Sequence, residues 1–178
     1  MIFKETSLKG AYIIELEKIE DSRGFFSRVW CKREFEEKGL DSYVAQSNLS
    51  FNNQAGTLRG MHFQVSPFEE TKLVRCTRGR IYDVIIDMRP ESPTYNQWTA
   101  FELTEDNYKM LYIPKDFAHG YQTLEHNSEI YYQVSQFYSP GSESGIRHND
   151  PSLNIEWPLD VSAISDKDRN WPDYTCVT

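Results

Sequence analysis

The stretch that decides the fold is residues 56–64, GTLRGMHFQ. Apolar and polar residues alternate from position 61 to 64, as in a β-strand whose alternate side chains share a face, so His62 and Gln64 are expected to face inwards together. A lone inward histidine is more often a hydrogen-bonded core residue. Arg59, three residues earlier and flanked by glycine, favours another interpretation. Arginine and histidine on one inward strand make a poor apolar core and a good anion pocket.

The sequence around this stretch breaks into short strand-like runs separated by Gly and Pro. Residues 81–86, IYDVII, are almost continuously apolar, as in a strand buried on both faces. Arg78-Gly79 indicates a hairpin turn between Leu73–Thr77 and Ile81–Asp87. Many short strands with regular turns favour a sandwich or barrel. Other predicted elements are strands at Ala11–Glu17, Phe25–Trp30, Trp98–Leu103, Met110–Ile113, Tyr121–Leu124 and Glu129–Phe137, a helix at Lys32–Lys38, and a tail at residues 157–172 with short helical turns.

Length and composition limit the class of protein. The 178 residues are expected to form one domain, residues 1–178. A net charge of −8 argues against nucleic acid as a partner, because an acidic chain does not attract phosphate backbones at long range. The charged N-terminal residues do not resemble a signal peptide, and no apolar run reaches the roughly 18 residues of a membrane span. A cytoplasmic protein with no membrane partner is expected. Cys31, Cys76 and Cys176 are odd in number and widely spaced, so free thiols are expected.

Residues 56–64 and residues 113–120, IPKDFAHG, resemble the two cupin motifs in spacing. The first motif is Gly, five residues, His, one residue, His; the second is Pro, four residues, His. Metal-binding cupins hold the ion with three histidines and one glutamate, but here Gln64 replaces the second histidine. An amide is a poor ligand for a transition metal beside imidazole. No bound metal is therefore predicted; the alternative, a metal-dependent cupin oxygenase or isomerase, would contain stoichiometric Fe, Mn or Zn.

Ten segments carry a more specific resemblance over nearly the whole chain. They are Asp21–Phe26, Gln46–Ser50, Thr57–Gln64, Lys72–Cys76, Gly79–Val84, Ile113–Gly120, Tyr132 with Tyr138–Pro140, Asn149–Pro151, Trp157-Pro158 and Ser165–Asp168. In content and order these segments resemble the dTDP-4-dehydrorhamnose 3,5-epimerase family. The resemblance implies an all-β fold, a double-stranded β-helix of the cupin-type jelly-roll kind, with short peripheral helices.

The resemblance also implies a reaction. The family's activity is inversion of C3, C5 or both in a nucleotide-linked 4-keto-6-deoxyhexose, a step of deoxysugar and polysaccharide biosynthesis. The ketone acidifies the hydrogens at C3 and C5 because it delocalises the carbanion as an enolate. Epimerisation then needs a base on one face and an acid on the other. His62 matches the family's base, Asp168 the carboxylate that orients it, Tyr132 the acid and Lys72 the cation beside the C4 oxygen. No cofactor is expected, because no hydride moves.

The remaining site residues are implied as contacts to the nucleotide-sugar substrate. Arg59 and Arg23 match phosphate and sugar contacts, and Arg23 is expected to reach the site of a neighbouring subunit. A homodimer with shared N-terminal strands is therefore expected. Tyr138 matches an aromatic residue that stacks on the pyrimidine, although strand packing would be the simpler interpretation of Tyr132 and Tyr138 without the resemblance. Further matches are Gln46 and Asn48 for the base or sugar, His119 for the sugar pocket, and Glu143 and Lys167 for other ligand contacts.

Four positions depart from the usual family pattern: Arg28 replaces a Glu, Trp30 a Phe, Gln133 a Lys and His148 a Trp. Arg28 changes the charge expected near the ligand, which leaves the nucleotide and sugar open. Two alternatives follow. One is a 3-epimerase of a CDP-linked 4-keto-6-deoxysugar. The other is a sugar-nucleotide ketoisomerase or binding protein without epimerase activity, in which Tyr132 or Asp168 would point away from His62. The remaining histidines, His126 and His148, are expected at the surface.

Overall fold

The computed structural model describes residues 1–174, so the expectation for Cys176 lies outside the described residues. Short β-strands dominate this part of the chain. The strands are β1 Ile2–Glu5, β2 Tyr12–Glu15, β3 Ile19–Asp21, β4 Gly24–Phe26, β5 Gln46–Asn52, β6 Leu58–Gln64, β7 Lys72–Arg78, β8 Arg80–Asp87, β9 Trp98–Thr104, β10 Met110–Ile113, β11 Phe117–Thr123, β12 Ser128–Val134 and β13 Glu143–Gly145. The helices are α1 Lys32–Glu37 and α2 Asp166–Arg169, with a 3₁₀ turn at Pro140–Ser142. The all-β prediction with short helices is confirmed.

Two antiparallel sheets face each other across the core. One has six strands in the order β1-β2-β10-β7-β12-β5, and the other has five in the order β13-β6-β11-β8-β9. Val74 and Ile130 of the larger sheet pack against Ile81 and Ile85 of the smaller sheet between the two layers. Two facing sheets of this kind are the architecture of a jelly roll, as predicted.

The strand β8 is buried on both faces, as its apolar run predicts. Ile81 and Ile85 face the core between the sheets, and Val84 and Ile86 pack in a second cluster with Ile146, Leu153 and Ile155. The C-terminal segment, residues 155–174, contributes to this second cluster. With neighbours packed on both sides, residues 81–86 of β8 carry a single charge, Asp83.

The predicted hairpin at Arg78-Gly79 is wrong. β7 lies in the six-stranded sheet and β8 in the five-stranded sheet, so Gly79 links the two sheets. Gly79 has a φ of 73°, and a Cβ there would lie 2.6 Å from Ser128 Oγ. The position therefore needs glycine. The sequence correctly indicated a tight turn, but the strand partners depend on residues distant in sequence.

The C-terminal segment also binds the edge of β6 through its backbone. The amide of Leu58 donates to the carbonyl of Ala163 at 2.8 Å, and the amide of Ser162 donates to the carbonyl of Gly56 at 3.0 Å. These bonds place α2, four residues long, directly beside β6. The predicted tail with short helical turns is confirmed, and its position next to residues 56–64 matters for the site.

The hairpin of β3 and β4 stands apart from both sheets. Ile19 and Phe26 are each 67% exposed. The predicted strand Phe25–Trp30 extends only to Phe26, and Trp30 instead packs beside the cluster formed by α1 and the six-stranded sheet. None of the helices in residues 1–174 has the length and apolar character that a membrane span requires.

Candidate active site

A bulge in β6 brings Arg59 and His62 to the same face. His62 pairs with His119 of β11, and Arg59 pairs with Tyr121. Two residues separate Arg59 from His62, but only Gly120 separates their partners, so β6 carries one extra residue. In a regular strand, residues three apart would face opposite sides. The bulge explains how both side chains line one cleft.

Gly60, within the bulge, allows the two strands to approach closely. Its φ is 113°, and a Cβ there would lie 2.5 Å from Gly120 Cα. No other residue fits this position without moving the β11 backbone. The amide of Gly60 donates to Asp168 Oδ2 at 3.2 Å, so the bulge also helps to hold a site carboxylate.

His62 and Asp168 form a dyad in which the carboxylate is buried and the imidazole is partly exposed. Asp168 is 4% exposed, and its Oδ1 lies 2.5 Å from His62 Nε2. Burial by itself would raise the pKa of Asp168, but hydrogen bonding and charge interaction with His62, with a smaller contribution from the Gly60 amide, hold that pKa below its usual value. An ionised carboxylate only accepts hydrogen bonds, so Nε2 of His62 is the donor. Nδ1 is then the nitrogen that can accept a proton.

The cap of α2 fixes the position of this carboxylate. Ser165 Oγ accepts a hydrogen bond from the amide of Asp168 at 3.0 Å. This N-cap bond satisfies a free amide at the start of the helix. Since Ser165 and Asp168 belong to the C-terminal segment, the dyad joins residues 106 positions apart in the sequence.

The cleft between the sheets has two connected lobes. The larger lobe has a volume of about 660 Å³ and the smaller about 330 Å³. His62, Lys72 and Tyr132 line both, so the lobes meet at these side chains. Volumes of this size accommodate small-molecule ligands. The larger lobe also contains Arg59, His119, Lys167 and Asp168, and the smaller contains Gln46, Asn48, Tyr138 and Glu143.

All the predicted site residues except Arg23 line this cleft. Arg23 lies at the turn of the β3–β4 hairpin, where its side chain is 87% exposed and pairs with Asp21 at 2.6 Å. The structure thus brings together residues from β5, β6, β7, β11, β12, β13, α2 and the loop between β12 and β13, and it leaves Arg23 outside the cleft of its own chain. The individual roles of these residues remain predictions.

Lys72 has a partner that the sequence did not reveal. Its Nζ lies 3.2 Å from Glu70 Oε1, and the two side chains are 12% and 13% exposed. Tyr132, on the neighbouring strand β12, is half-buried. Burial raises the pKa of Tyr132, and the negative charge of Glu70 raises it further, against the opposing effect of Arg59. A phenol in this setting stays protonated at neutral pH.

A second dyad lies deeper in the cleft. His119 Nε2 contacts Asp83 Oδ1, and the Asp83 side chain is fully buried. Sequence reasoning found His119 but missed Asp83. A signal for it was present, because Asp83 is the lone charge within the apolar run at residues 81–86. Charged side chains are rarely buried unless paired.

The rim of the smaller lobe is held by a chain of polar contacts. Tyr138 OH donates to Glu143 Oε2 at 2.7 Å, and Glu143 Oε1 pairs with Lys167 Nζ at 2.5 Å. Gln46 Oε1 accepts from the amide of Tyr138 at 3.1 Å. The Tyr138 side chain is nevertheless largely exposed, so its ring offers a flat surface at the cleft entrance.

The positions that depart from the family pattern lie outside the cleft. Arg28 pairs with Glu34 of α1 at 2.9 Å, so in its own chain it does not alter the charge of the site. Gln133 donates to Tyr131 OH at 3.3 Å on the outer face of the six-stranded sheet. His126 is exposed as predicted. The surface prediction for His148 is wrong: it is half-buried, burial lowers its pKa, and Trp157 of the C-terminal segment donates to its carbonyl.

The donor set of the cleft does not fit a transition metal. Within residues 1–174, no group of three His, Cys, Asp or Glu side chains is placed to hold an ion. The Gln64 amide, which replaces the second cupin histidine, is already engaged: its Nε2 donates to the carbonyl of Phe68 at 3.0 Å, and its Oε1 accepts from the amide of Ser139 at 2.7 Å. Reaction without a metal therefore remains the prediction.

Comparison with known proteins identifies the family. The family model for dTDP-4-dehydrorhamnose 3,5-epimerase matches residues 5–175. The chain belongs to the dTDP-4-dehydrorhamnose 3,5-epimerase family. The dTDP-4-dehydrorhamnose 3,5-epimerase of Sinorhizobium fredii is 40% identical over 173 residues, which are 97% of this chain and 89% of that protein. The predicted family membership is confirmed, and the chain is an isomerase of the dTDP-4-dehydrorhamnose 3,5-epimerase type.

Crystal structures of the family share the whole fold. The Bacillus anthracis dTDP-4-dehydrorhamnose 3,5-epimerase, with TDP and PPi bound, has a TM-score of 0.92 at 41% identity and covers 96% of this chain and 98% of its own. The Legionella pneumophila epimerase in complex with dTDP-4-keto-L-rhamnose has a TM-score of 0.86 at 37% identity, with coverage of 94% and 89%. The jelly-roll prediction is confirmed by these matches.

Proposed function

We propose that this epimerase inverts both C3 and C5 of a dTDP-linked 4-keto-6-deoxyhexose through an enolate, with His62 as base and Tyr132 as acid. The observation that carries the proposal is the His62–Asp168 dyad on one wall of a cleft whose other wall carries Tyr132 and Lys72. The dyad belongs to the five-stranded sheet and its attached α2; Tyr132 and Lys72 belong to the six-stranded sheet. A sugar ring between the sheets meets a base on one face and an acid on the other.

Proton removal is assigned to His62. Its Nδ1 takes the proton from C3 or C5 of the sugar, and Asp168 stabilises the imidazolium that forms. The electrons of the broken C–H bond move to the C4 oxygen, giving the enolate. Lys72 donates to that oxygen from the opposite sheet. A positioned donor at a developing oxyanion contributes roughly 3–4 kcal/mol in other enzymes.

Proton return is assigned to Tyr132. Its phenol gives a proton to the same carbon from the other face, which inverts the centre and re-forms the ketone. Burial and the charge of Glu70 hold the pKa of Tyr132 above its usual value, so the phenol carries its proton before the reaction. Acid–base groups of this kind contribute about 10²–10⁴-fold. No electron leaves the substrate, so the step needs no redox cofactor.

The nucleotide is assigned to the smaller lobe. The exposed Tyr138 ring would stack on the pyrimidine, with Gln46, Asn48, Glu143 and Lys167 around it. Arg59, which lines the larger lobe, would contact the phosphates and the sugar. The relatives crystallised with TDP and with dTDP-4-keto-L-rhamnose support dTDP as the nucleotide.

A homodimer completes the proposal. The Arg23 side chain lies on the exposed hairpin, outside the cleft of its own chain. In that position it can contact the cleft of a second copy. The outer face of the six-stranded sheet exposes Leu49 and Tyr131, which pair across β5 and β12. Phe25 of the hairpin packs on Tyr108 next to Arg75 of the same face, so the hairpin and the apolar face are continuous. Contiguous apolar surface of this kind marks a protein interface.

The deciding experiment follows solvent deuterium into the sugar. The protein is incubated in D₂O with dTDP- or CDP-4-keto-6-deoxyglucose, and deuterium is located by NMR. We expect incorporation and inversion at C3 and C5 of the dTDP substrate. Incorporation at C3 alone would show a 3-epimerase. Preference for the CDP substrate would show that the natural nucleotide is CDP and not dTDP. Deuterium at C4 with the keto group moved to C3 would show a ketoisomerase, and absence of exchange with both substrates would show a binding protein; either result would contradict the proposal.

A further inference from the structure

The cleft contains a largely buried carboxylate whose contact with Lys72 the proposed reaction does not use. Glu70 lies in the loop between β6 and β7, and its Oε1 contacts Lys72 Nζ at 3.2 Å. Its Oε2 accepts from Gln64 Nε2 at 3.4 Å. Gln64, Glu70 and Lys72 thus form a polar chain from the strand that carries His62 to the strand that carries Lys72.

We propose, on the basis of the proposed function, that Glu70 is a positioning residue that fixes the Lys72 ammonium where the enolate oxygen develops. Lysine carries its charge on a flexible four-carbon stem with three donors. A donor stabilises an oxyanion fully only if it is already in place when charge develops. The contact with Glu70 uses one N–H of Lys72 and leaves two for the substrate.

Glu70 itself is oriented by a rigid neighbour. Gln64 is 3% exposed, and its amide is bonded to the backbones of Phe68 and Ser139, in the loops on either side of the cleft. The residue at the position of the second cupin histidine therefore anchors two loops and presents a donor to Glu70. Lys72 is therefore held by Glu70, and Glu70 is contacted by a glutamine whose own amide is fixed by backbone groups.

The charge of Glu70 also acts on Tyr132. After burial, it is the largest influence that raises the pKa of Tyr132, and Arg59 opposes it. Removal of the Glu70 charge would let Tyr132 lose its proton at lower pH. The other titratable or charged groups lining the cleft around Tyr132 are His62, Lys72, His119, Tyr121, Tyr138, Glu143, Lys167 and Asp168.

The test combines Glu70→Gln, Lys72→Ala and the double variant, with Glu69→Gln as the matched control. Glu69 is the adjacent carboxylate and does not line the cleft. At pH 7 we expect Glu70→Gln to lower kcat by about 10- to 100-fold with KM changed less than about threefold. In the Lys72→Ala background the same substitution should cost less than about twofold at pH 7, because Tyr132 keeps its proton there and the remaining effect of Glu70 runs through Lys72. Glu69→Gln should keep the wild-type rate.

The pH profile gives a readout that a merely structural role would not move. We expect the alkaline limb of kcat to shift to lower pH in Glu70→Gln and to stay in place in Glu69→Gln. A kcat of Glu70→Gln within about twofold of wild type, or a loss that adds fully to that of Lys72→Ala, would overturn the proposal.

A structural arm separates this proposal from the proposed function. If the wild-type protein does not epimerise, the proposed function fails, but crystals of Glu70→Gln still report on Lys72. We expect its Nζ to move by more than about 1 Å from the wild-type position, a displacement large enough to matter for catalysis. An unmoved Nζ would show that Glu70 does not position it. Melting temperatures of both variants control for folding.

Discussion

The cleft and the β3–β4 hairpin differ in how far the partners of their charged side chains are shielded from solvent. In the cleft, the central side chains have partners that are shielded from solvent: His62 pairs with Asp168, 106 positions away, and Lys72 pairs with Glu70, two positions away. In the hairpin, Arg23 pairs with Asp21, two residues away, at the surface. The aromatic side chain of Phe26 is mostly exposed beside it.

This difference distinguishes charged side chains whose partners lie buried within one chain from an exposed side chain that can bind a second chain. Charges paired in a buried cleft interact strongly because little solvent screens them. An exposed pair such as Arg23–Asp21 contributes little to stability, so the arginine is available to another partner. Substitutions in the cleft should therefore damage chemistry within a single chain. Substitutions in and around the hairpin should damage assembly and substrate binding.

The largest effect is expected from His62→Ala. Without the base no enolate forms, so deuterium from D₂O should enter neither C3 nor C5, and epimerisation should fall by about 10⁴-fold. NMR of the recovered sugar nucleotide measures both. His126→Ala, which changes an exposed histidine, is the control and should behave as wild type. Exchange that persists in His62→Ala would show that another group is the base.

The effect of Tyr132→Phe is expected to differ from that of His62→Ala in kind as well as in size. His62 and Lys72 remain, so the enolate still forms and a deuteron can return to the original face. Net inversion should fall by about 10²–10⁴-fold, equivalent to roughly 3–5 kcal/mol, while some exchange with retention survives. Tyr131→Phe, on the opposite side of the same strand, is the matched control. Inversion at the wild-type rate in Tyr132→Phe would refute its role as the acid.

On the outer face, Leu49→Lys should dissociate the proposed dimer. Leu49 is 61% exposed in the isolated chain, and a charge buried in an apolar interface should weaken the dimer by about 100-fold in Kd. Light scattering at micromolar concentration measures the mass. Leu159→Lys alters an exposed leucine of the C-terminal segment and should leave the mass unchanged. A wild-type protein that is already monomeric would contradict the dimer.

Arg23→Ala tests whether the hairpin serves a neighbouring site. Loss of a phosphate or sugar contact should raise KM by about tenfold and leave kcat nearly unchanged, because the reacting groups are untouched. Arg33→Ala, an exposed arginine of α1, serves as the control in the same steady-state assay. Equal KM values for Arg23→Ala and wild type would remove Arg23 from the site.

The smallest effect concerns stability at acid pH. The pKa of Asp168 is lowered in the folded chain, so the ionised carboxylate contributes stability above its unfolded pKa of about 3.9. That contribution is lost as pH falls through the lower, folded value. The difference in melting temperature between wild type and Asp168→Asn should therefore be constant from pH 7 to about 5 and shrink below about pH 4. A constant difference down to pH 3 would contradict the pKa direction.

The sequence by itself determined the fold class and most of the cleft. Alternation around His62, the apolar run of β8 and the glycine-marked turns all report on neighbours within a few residues, and such local patterns survive in any β-fold. The ordered family segments added the identities of Lys72, Tyr132, Tyr138 and Asp168. Asp83 could have been found as the lone charge in an apolar run, whereas no local pattern distinguishes the Glu69-Glu70 doublet from an exposed acidic pair.

Only the tertiary structure decided which distant residues meet. Arg59 and His62 share a face because a bulge shifts the register of β6 against β11, and a register depends on two strands far apart in sequence. Gly79 joins two sheets, where its sequence had suggested a hairpin, because packing of the whole core selects the partners of β7 and β8. Glu70 and Lys72 are only two residues apart, but the contact between their side chains inside the cleft depends on the path of the loop between β6 and β7 and on its contact with Gln64, which local sequence patterns do not encode.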